Sequence, residues 1–208
     1  MHLPPARVTS VIAAVTVLSH VLVVLSGQEE MSDLVGGFVP ARLSGYVLSG
    51  AAPVWITPLT ATLLHGGLIH LGFNMLMLIF CGRMVEAAVG PAALAILYLV
   101  GAYAAAGAQY LAGPYDVSPM IGASGAISAV FAGYALIYGR PRALAGHPRL
   151  ALVLNIVWLA AAWIAVQFLM GFAVADLGMA IATAAHVGGF VSGLALIGPL
   201  MKWRRNRG

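Results

Sequence analysis

Apolar residues run in long, nearly unbroken blocks from Val8 to Ser26, Gly67 to Glu86, Pro91 to Ala112, Ile121 to Gly139, Leu150 to Phe172 and Leu177 to Met201. A helix rises about 1.5 Å per residue, so about 20 apolar residues cross a hydrocarbon core of about 30 Å. The pattern therefore predicts six transmembrane helices, at residues 8–26, 67–86, 91–112, 121–139, 150–172 and 177–201. The first block, behind Arg7 and ending at Leu25-Ser26-Gly27, has the outline of a signal peptide but exceeds the roughly 7 to 15 apolar residues of a signal core. With five more blocks following, it is expected to stay as a helix.

The apolar stretch from Ile56 to Cys81 is too long for one span, and Gly66-Gly67 interrupts it. Starting the second helix at Gly67 leaves Gln28 to Gly66 as a long first loop containing Phe38, Pro40, Tyr46, Pro53, Trp55 and Pro58. Such a loop is expected to lie partly in the membrane interface, where Trp and Tyr are favoured.

Composition agrees. Of 208 residues 62% are hydrophobic and 8% charged, against roughly 25% charged in a soluble domain. The expectation is an all-α, polytopic integral membrane protein with residues 1–208 forming a single membrane domain. The one cysteine, Cys81, excludes an intramolecular disulfide and reads as packing. The pI near 9.6 does not indicate nucleic acid, because the basic residues flank apolar spans without interleaved aromatics. They sort as topology signals. A cytoplasmic N-terminus places Arg7, Arg83, Arg140, Arg142, Arg149, Lys202, Arg204, Arg205 and Arg207 inside and only Arg42 outside, with Glu29, Glu30, Asp33, Asp116 and Asp176. Both termini are thus expected in the cytoplasm.

Against this background a few polar residues stand out. His70 and Asn74 are four apart and share a helix face. Ser124 opens the fourth apolar block, and His186 lies in the sixth. His70 is sixteen residues from Glu86, Ser124 sixteen from Arg140 and His186 sixteen from Lys202. Each therefore sits about 24 Å above the inner boundary and about 6 Å below the outer surface. Small residues argue for lateral closeness: Gly178, Ala182, His186, Gly189 and Gly193 make one smooth stripe, and Gly125, Ala129 and Gly133 another.

Serine needs a base to become a nucleophile, and neutral histidine is the usual one. His186 is the candidate base for Ser124. The Ser124 N–H at a helix start, with the His70 and Asn74 side chains, could stabilise an oxyanion. No carboxylate shares this layer, so the arrangement is a dyad, and it requires no cofactor or metal ion.

Other readings of the same residues stay open. Ser124 suits a packing or capping role, His186 an interhelical hydrogen bond or proton relay, and His70 with Asn74 a structural network. His65 is assigned to tethering the first loop. His20 faces packing or the outer interface, and His2 and His147 face solvent. Trp158, Trp163, Phe168 and Phe172 are read as lipid-facing, and Tyr98, Tyr103 and Tyr110 as packing within the third helix. A small transporter would use Ser, His and Asn along a solute path, but broken mid-membrane spans and inverted repeats are not evident.

The segments His65-Gly66-Gly67-Leu68-Ile69-His70-Leu71-Gly72-Phe73-Asn74-Met75, Gly122-Ala123-Ser124-Gly125-Ala126-Ile127 and Ala185-His186-Val187-Gly188-Gly189-Phe190-Val191-Ser192-Gly193 closely resemble three signatures of the rhomboid intramembrane serine proteases. The resemblance covers nearly the whole chain. It implies a rhomboid-like bundle in which Ser124 is nucleophile, His186 general base and acid, and His70 and Asn74 the oxyanion-hole side chains. Glu86 then resembles the family's structural glutamate, Gly189 and Gly193 support the site, and the first loop resembles a membrane-embedded hairpin. The implied substrates are single-span membrane proteins, cut near the outer face of a bacterial inner membrane. A catalytically silent relative that binds membrane helices is the alternative. Two positions depart from the pattern. Trp55 is followed by Ile56-Thr57 where a Trp-Arg pair is common, and Ser128 stands where an aromatic often packs on the histidine, leaving Phe131 as a candidate to hold His186.

Overall fold

A computed structural model describes residues 6–139, 148–175 and 182–206. Among them every regular element is helical, and extended pairing is limited to one bridge between Phe38 and Met120. Helix α1 spans Arg7–Ser26, α2 Glu29–Gly36, α3 Thr57–Thr60, α4 Leu68–Met77, α5 Arg83–Val89, α6 Pro91–Ala112, α7 Ser124–Tyr138, α8 Pro148–Ala175 and α9 Thr183–Arg205. Helices α4 and α5 are joined through a π-helical turn at Leu78–Gly82, so Leu68–Val89 is one continuous span. Among the described residues four helices are long and apolar enough to cross a membrane: Arg7–Ser26, Leu68–Val89, Pro91–Ala112 and Thr183–Arg205. Ser124–Tyr138 and Leu150–Val166 are shorter apolar helices.

Several boundaries differ from the sequence expectation, each for a local reason. The fourth block was expected to turn helical at Ile121, but Gly122 has φ +108° and α7 begins only at Ser124. The second span begins at Leu68, after Gly67 at φ 128°, and runs beyond Glu86 to Gly90 at φ 88°. Ala182, expected on the helical stripe with His186, precedes α9 as its cap. The first loop is also more regular than expected. It holds α2, a 3₁₀ turn at Pro40–Ser44, then α3 running into a second 3₁₀ turn at Ala61–Leu63. Arg140, Arg142, His147, Asp176, Leu177, Gly178, Arg207 and His2 lie outside the described residues, as do the side chains of Arg149, Phe168 and Phe172.

Small residues decide where the helices meet. A Cβ at Gly101 would come within 2.6 Å of Ala129 Cβ, and one at Gly125 within 2.5 Å of Ala105 Cβ, so α6 and α7 touch almost backbone to backbone. A Cβ at Gly189 would collide with the Gly125 carbonyl oxygen, and one at Gly193 with that of Ala129, while one at Gly188 would collide with Ala104 and Ala108, which seats α9 against both α7 and α6. Apolar helices in lipid gain little from hydrophobic burial against each other; close packing of this kind is what holds them. Helix α7 is consequently the centre of the bundle, with Ala126, Ile127, Ala129 and Val130 nearly inaccessible. By contrast Val11, Leu18, Leu22 and Leu25 of α1 and Val157 and Trp158 of α8 remain exposed, the surface a lipid-facing helix presents.

The first polar joint lies far from α7's start. Glu86, 5% exposed, accepts from Val8 N (3.0 Å), Thr9 N (2.8 Å) and Thr9 Oγ1 (2.7 Å). Helix α1 has no side-chain cap of its own, and this carboxylate from another helix satisfies its free amides where the helix dipole favours negative charge. Arg204 of α9 donates to Ala87 O at 2.7 Å and sits beside Gly90, covering the opposite-signed end of α5.

Candidate active site

The approach to Ser124 is held by the first loop. Phe38 and Met120 exchange backbone hydrogen bonds of 3.0 and 2.8 Å, Ala41 N–H donates to Asp116 O at 2.9 Å, and Gly122 N–H donates to Ala61 O at 2.9 Å. His65 Nε2 accepts a long 3.5 Å contact from Ala123 N–H, in the residue just before the serine. The tether expected of His65 thus reaches the serine's own turn. The positive φ of Gly122 then swings the chain into α7, leaving Ser124 in the first helical turn, where its N–H lacks an intrahelical partner.

Ser124 Oγ lies 2.7 Å from His186 Nε2. The histidine is 6% exposed, one turn before Gly189. Gly189 and Gly193 fix how α9 rests on α7, and with it where His186 meets Ser124. Phe131, considered as the residue holding His186, instead stacks on Trp163 with centroids 4.5 Å apart and tilts against Phe190 at 6.3 Å. Trp163 corrects another expectation. Rather than facing lipid it is 4% exposed, and its Nε1–H donates to Ser128 Oγ at 3.0 Å. Nothing in an apolar helix marks such an inward-facing indole, since the hydroxyl it bonds sits on another span.

His70 and Asn74 come from α4. The His70 ring covers Gly122, where a Cβ would lie 2.7 Å from its Nε2 and 3.7 Å from Ser124 Oγ. His70 also meets His65 edge to face at 5.0 Å. Asn74 Nδ2 donates to the His70 carbonyl at 2.9 Å, so one of its two N–H groups is engaged within its own helix. Both line a cavity of about 610 Å³ with Ser124, His186, Phe73, Met77 and Trp163, within the roughly 300 to 1,000 Å³ of typical ligand sites. Asp33 of α2 also lines it, and burial, reinforced by Glu29, holds that carboxyl above the usual carboxylate range. Sequence reasoning had placed Asp33 in an outer loop, away from the site.

The first loop has an arginine anchor after all, from a different position. Arg42 Nη2 donates to Ala52 O at 2.8 Å, and Tyr103 OH donates to Trp55 O at 3.0 Å. Tyr103 therefore reaches out of α6 to the loop instead of packing within its helix.

Residues 52–203 match the Rhomboid domain family. Among characterised proteins the chain is 32% identical over 137 residues to the Rhomboid protease GlpG of Pectobacterium atrosepticum and 33% identical over 135 residues to that of Serratia proteamaculans. The protein of that name from Klebsiella pneumoniae is 31% identical over 136 residues. Each match covers 64% of this chain and 44% of the relative, so the matched region is under half the length of those relatives. With four helices able to cross a bilayer, an all-helical bundle and this family match, the chain is an integral membrane protein that belongs to the rhomboid family.

Proposed function

We propose that this protein is an intramembrane serine endopeptidase that cuts transmembrane segments of single-span membrane proteins through a Ser124–His186 dyad. The observation that carries this reading is the 2.7 Å contact between Ser124 Oγ and His186 Nε2 inside a cavity among apolar helices. The relatives' name, rhomboid protease, points the same way.

In the proposed reaction His186 Nε2 takes the Ser124 hydroxyl proton as Oγ bonds to the scissile carbonyl carbon. The oxyanion draws on the Ser124 N–H and on His70, whose ring lies beside Gly122 and Ser124. Asn74 contributes its second N–H or releases the His70 carbonyl. His186 then returns the proton to the leaving amine, and water, activated by the same imidazole, releases the acyl group. A substrate helix must unwind locally, because helical carbonyls are already hydrogen-bonded and shielded.

The wider reading has six spans, the four long helices joined by Ser124–Tyr138 and by the helix holding Leu150–Val166, within one domain over residues 1–208. Its termini face the cytoplasm and its site lies toward the outer face of a bacterial inner membrane. The test is reconstitution of wild type and Ser124→Ala in vesicles with a panel of single-span test substrates, alongside labelling by a fluorophosphonate. Cleavage and labelling that vanish in Ser124→Ala support the protease. Equal cleavage by both, or a folded wild type that neither cleaves nor labels, overturns it in favour of a silent helix-binding relative.

A further inference from the structure

Among the described residues helix α8 packs against α7 and α9. Val157, Trp158 and Leu169 are exposed on it, whereas Trp163 is buried. Trp163 Nε1–H donates to Ser128 Oγ at 3.0 Å, and Ser128 Oγ–H donates to the Ser124 carbonyl at 2.7 Å. Two hydrogen bonds thus run in one direction from α8 to the nucleophile's own peptide group. Accepting from the indole polarises the hydroxyl and strengthens its bond to the carbonyl, in surroundings where water does not compete. Ser128 is fully buried beside Gly189, so no solvent competes for its hydroxyl. Stacking on Phe131 fixes the indole plane.

A serine bonded back to the carbonyl four residues earlier tilts that peptide and bends the turn. Here the tilted turn is the one that presents Ser124 Oγ to His186. We propose that Trp163 is a positioning residue, acting through Ser128 to hold the Ser124 turn in its reactive geometry, which is complete only while α8 rests against α7. This rests on the protease reading above.

Trp163→Phe keeps the ring stack and removes the N–H; Ser128→Ala keeps the size and removes the hydroxyl. Each is expected to lower kcat and the fluorophosphonate labelling rate of Ser124 by roughly three- to tenfold, the size of one neutral hydrogen bond. KM should stay within roughly twofold, because Trp163→Phe keeps an aromatic ring in the cavity lining and Ser128 is not part of that lining. The double variant should be no slower than the slower single one, since both changes cut the same relay. Wild-type rates in either single variant, or losses that multiply in the double, overturn the proposal. So does a loss confined to KM. A wild type that neither labels nor cleaves overturns the protease reading itself, which separates the two failures.

Discussion

The span Leu68–Val89 carries a buried polar cluster at each end, and the two are finished differently. Around Glu86 each carboxylate oxygen is used, by Val8, Thr9 and the Thr9 hydroxyl, and Arg204 covers the neighbouring carbonyls. Around Ser124 the Nδ1 atoms of His65, His70 and His186 are buried with no hydrogen-bond partner among the described residues. Buried polar groups are nearly always paired, so the first cluster is a closed joint. The second keeps these ring nitrogens out of any bond while the opposite edge of the His186 ring meets Ser124 at the cavity.

Four substitutions break or sharpen that contrast. Ser124→Ala should reduce cleavage by roughly 10³-fold or more while leaving the thermal midpoint in detergent within a few degrees of wild type. A large loss of stability would mean that the open cluster is a joint too. Gly189→Ala drives a Cβ into the Gly125 carbonyl and should cost about 2–3 kcal/mol by overpacking, with activity falling as α9 is pushed off α7. Gly198, with open space around it, is the control, and there alanine should be neutral or slightly stabilising in the same unfolding assay.

Glu86→Gln should cost about 1–2 kcal/mol, the worth of an N-terminal cap with its charge. The folded fraction should cleave normally; reduced turnover at unchanged stability would erase the distinction between the two ends. The smallest effect is expected of Arg204→Ala, about 0.5–1 kcal/mol for one cation at a helix C-terminus, read as a small drop in unfolding midpoint.

Much of this was legible in the chain. Apolar block length located the first three long helices to within a few residues, because about 20 hydrocarbon-compatible residues admit little else, while the last begins at Thr183 rather than Leu177. The depth count grouped His70, Ser124 and His186, and the glycines on α7 and α9 indicated which faces meet. What was hidden depends on contacts between distant segments. Trp163 looks like any aromatic in an apolar helix until Ser128 is beside it. Asp33 reads as a loop acid until α2 folds back over the cavity. The late start of α7 hinges on Gly122, which has a positive φ, follows the Phe38–Met120 pairing and lies under the His70 ring, and neither of those contacts has a local signature.

Helix α9 carries His186 near one end and Arg204 near the other. His186 and Arg204 are 18 residues apart, a distance of about 27 Å along the axis, close to one hydrocarbon thickness. Arg204 pins one end to α5, while Gly189 and Gly193 pin the other to α7. Helix α9 therefore works as a ruler of fixed gauge. The height at which the imidazole stands above Arg204 is a property of the protein, so a thicker or thinner bilayer shifts the lipid along the helix and leaves the contact between Ser124 and His186 where α7 and α9 hold it.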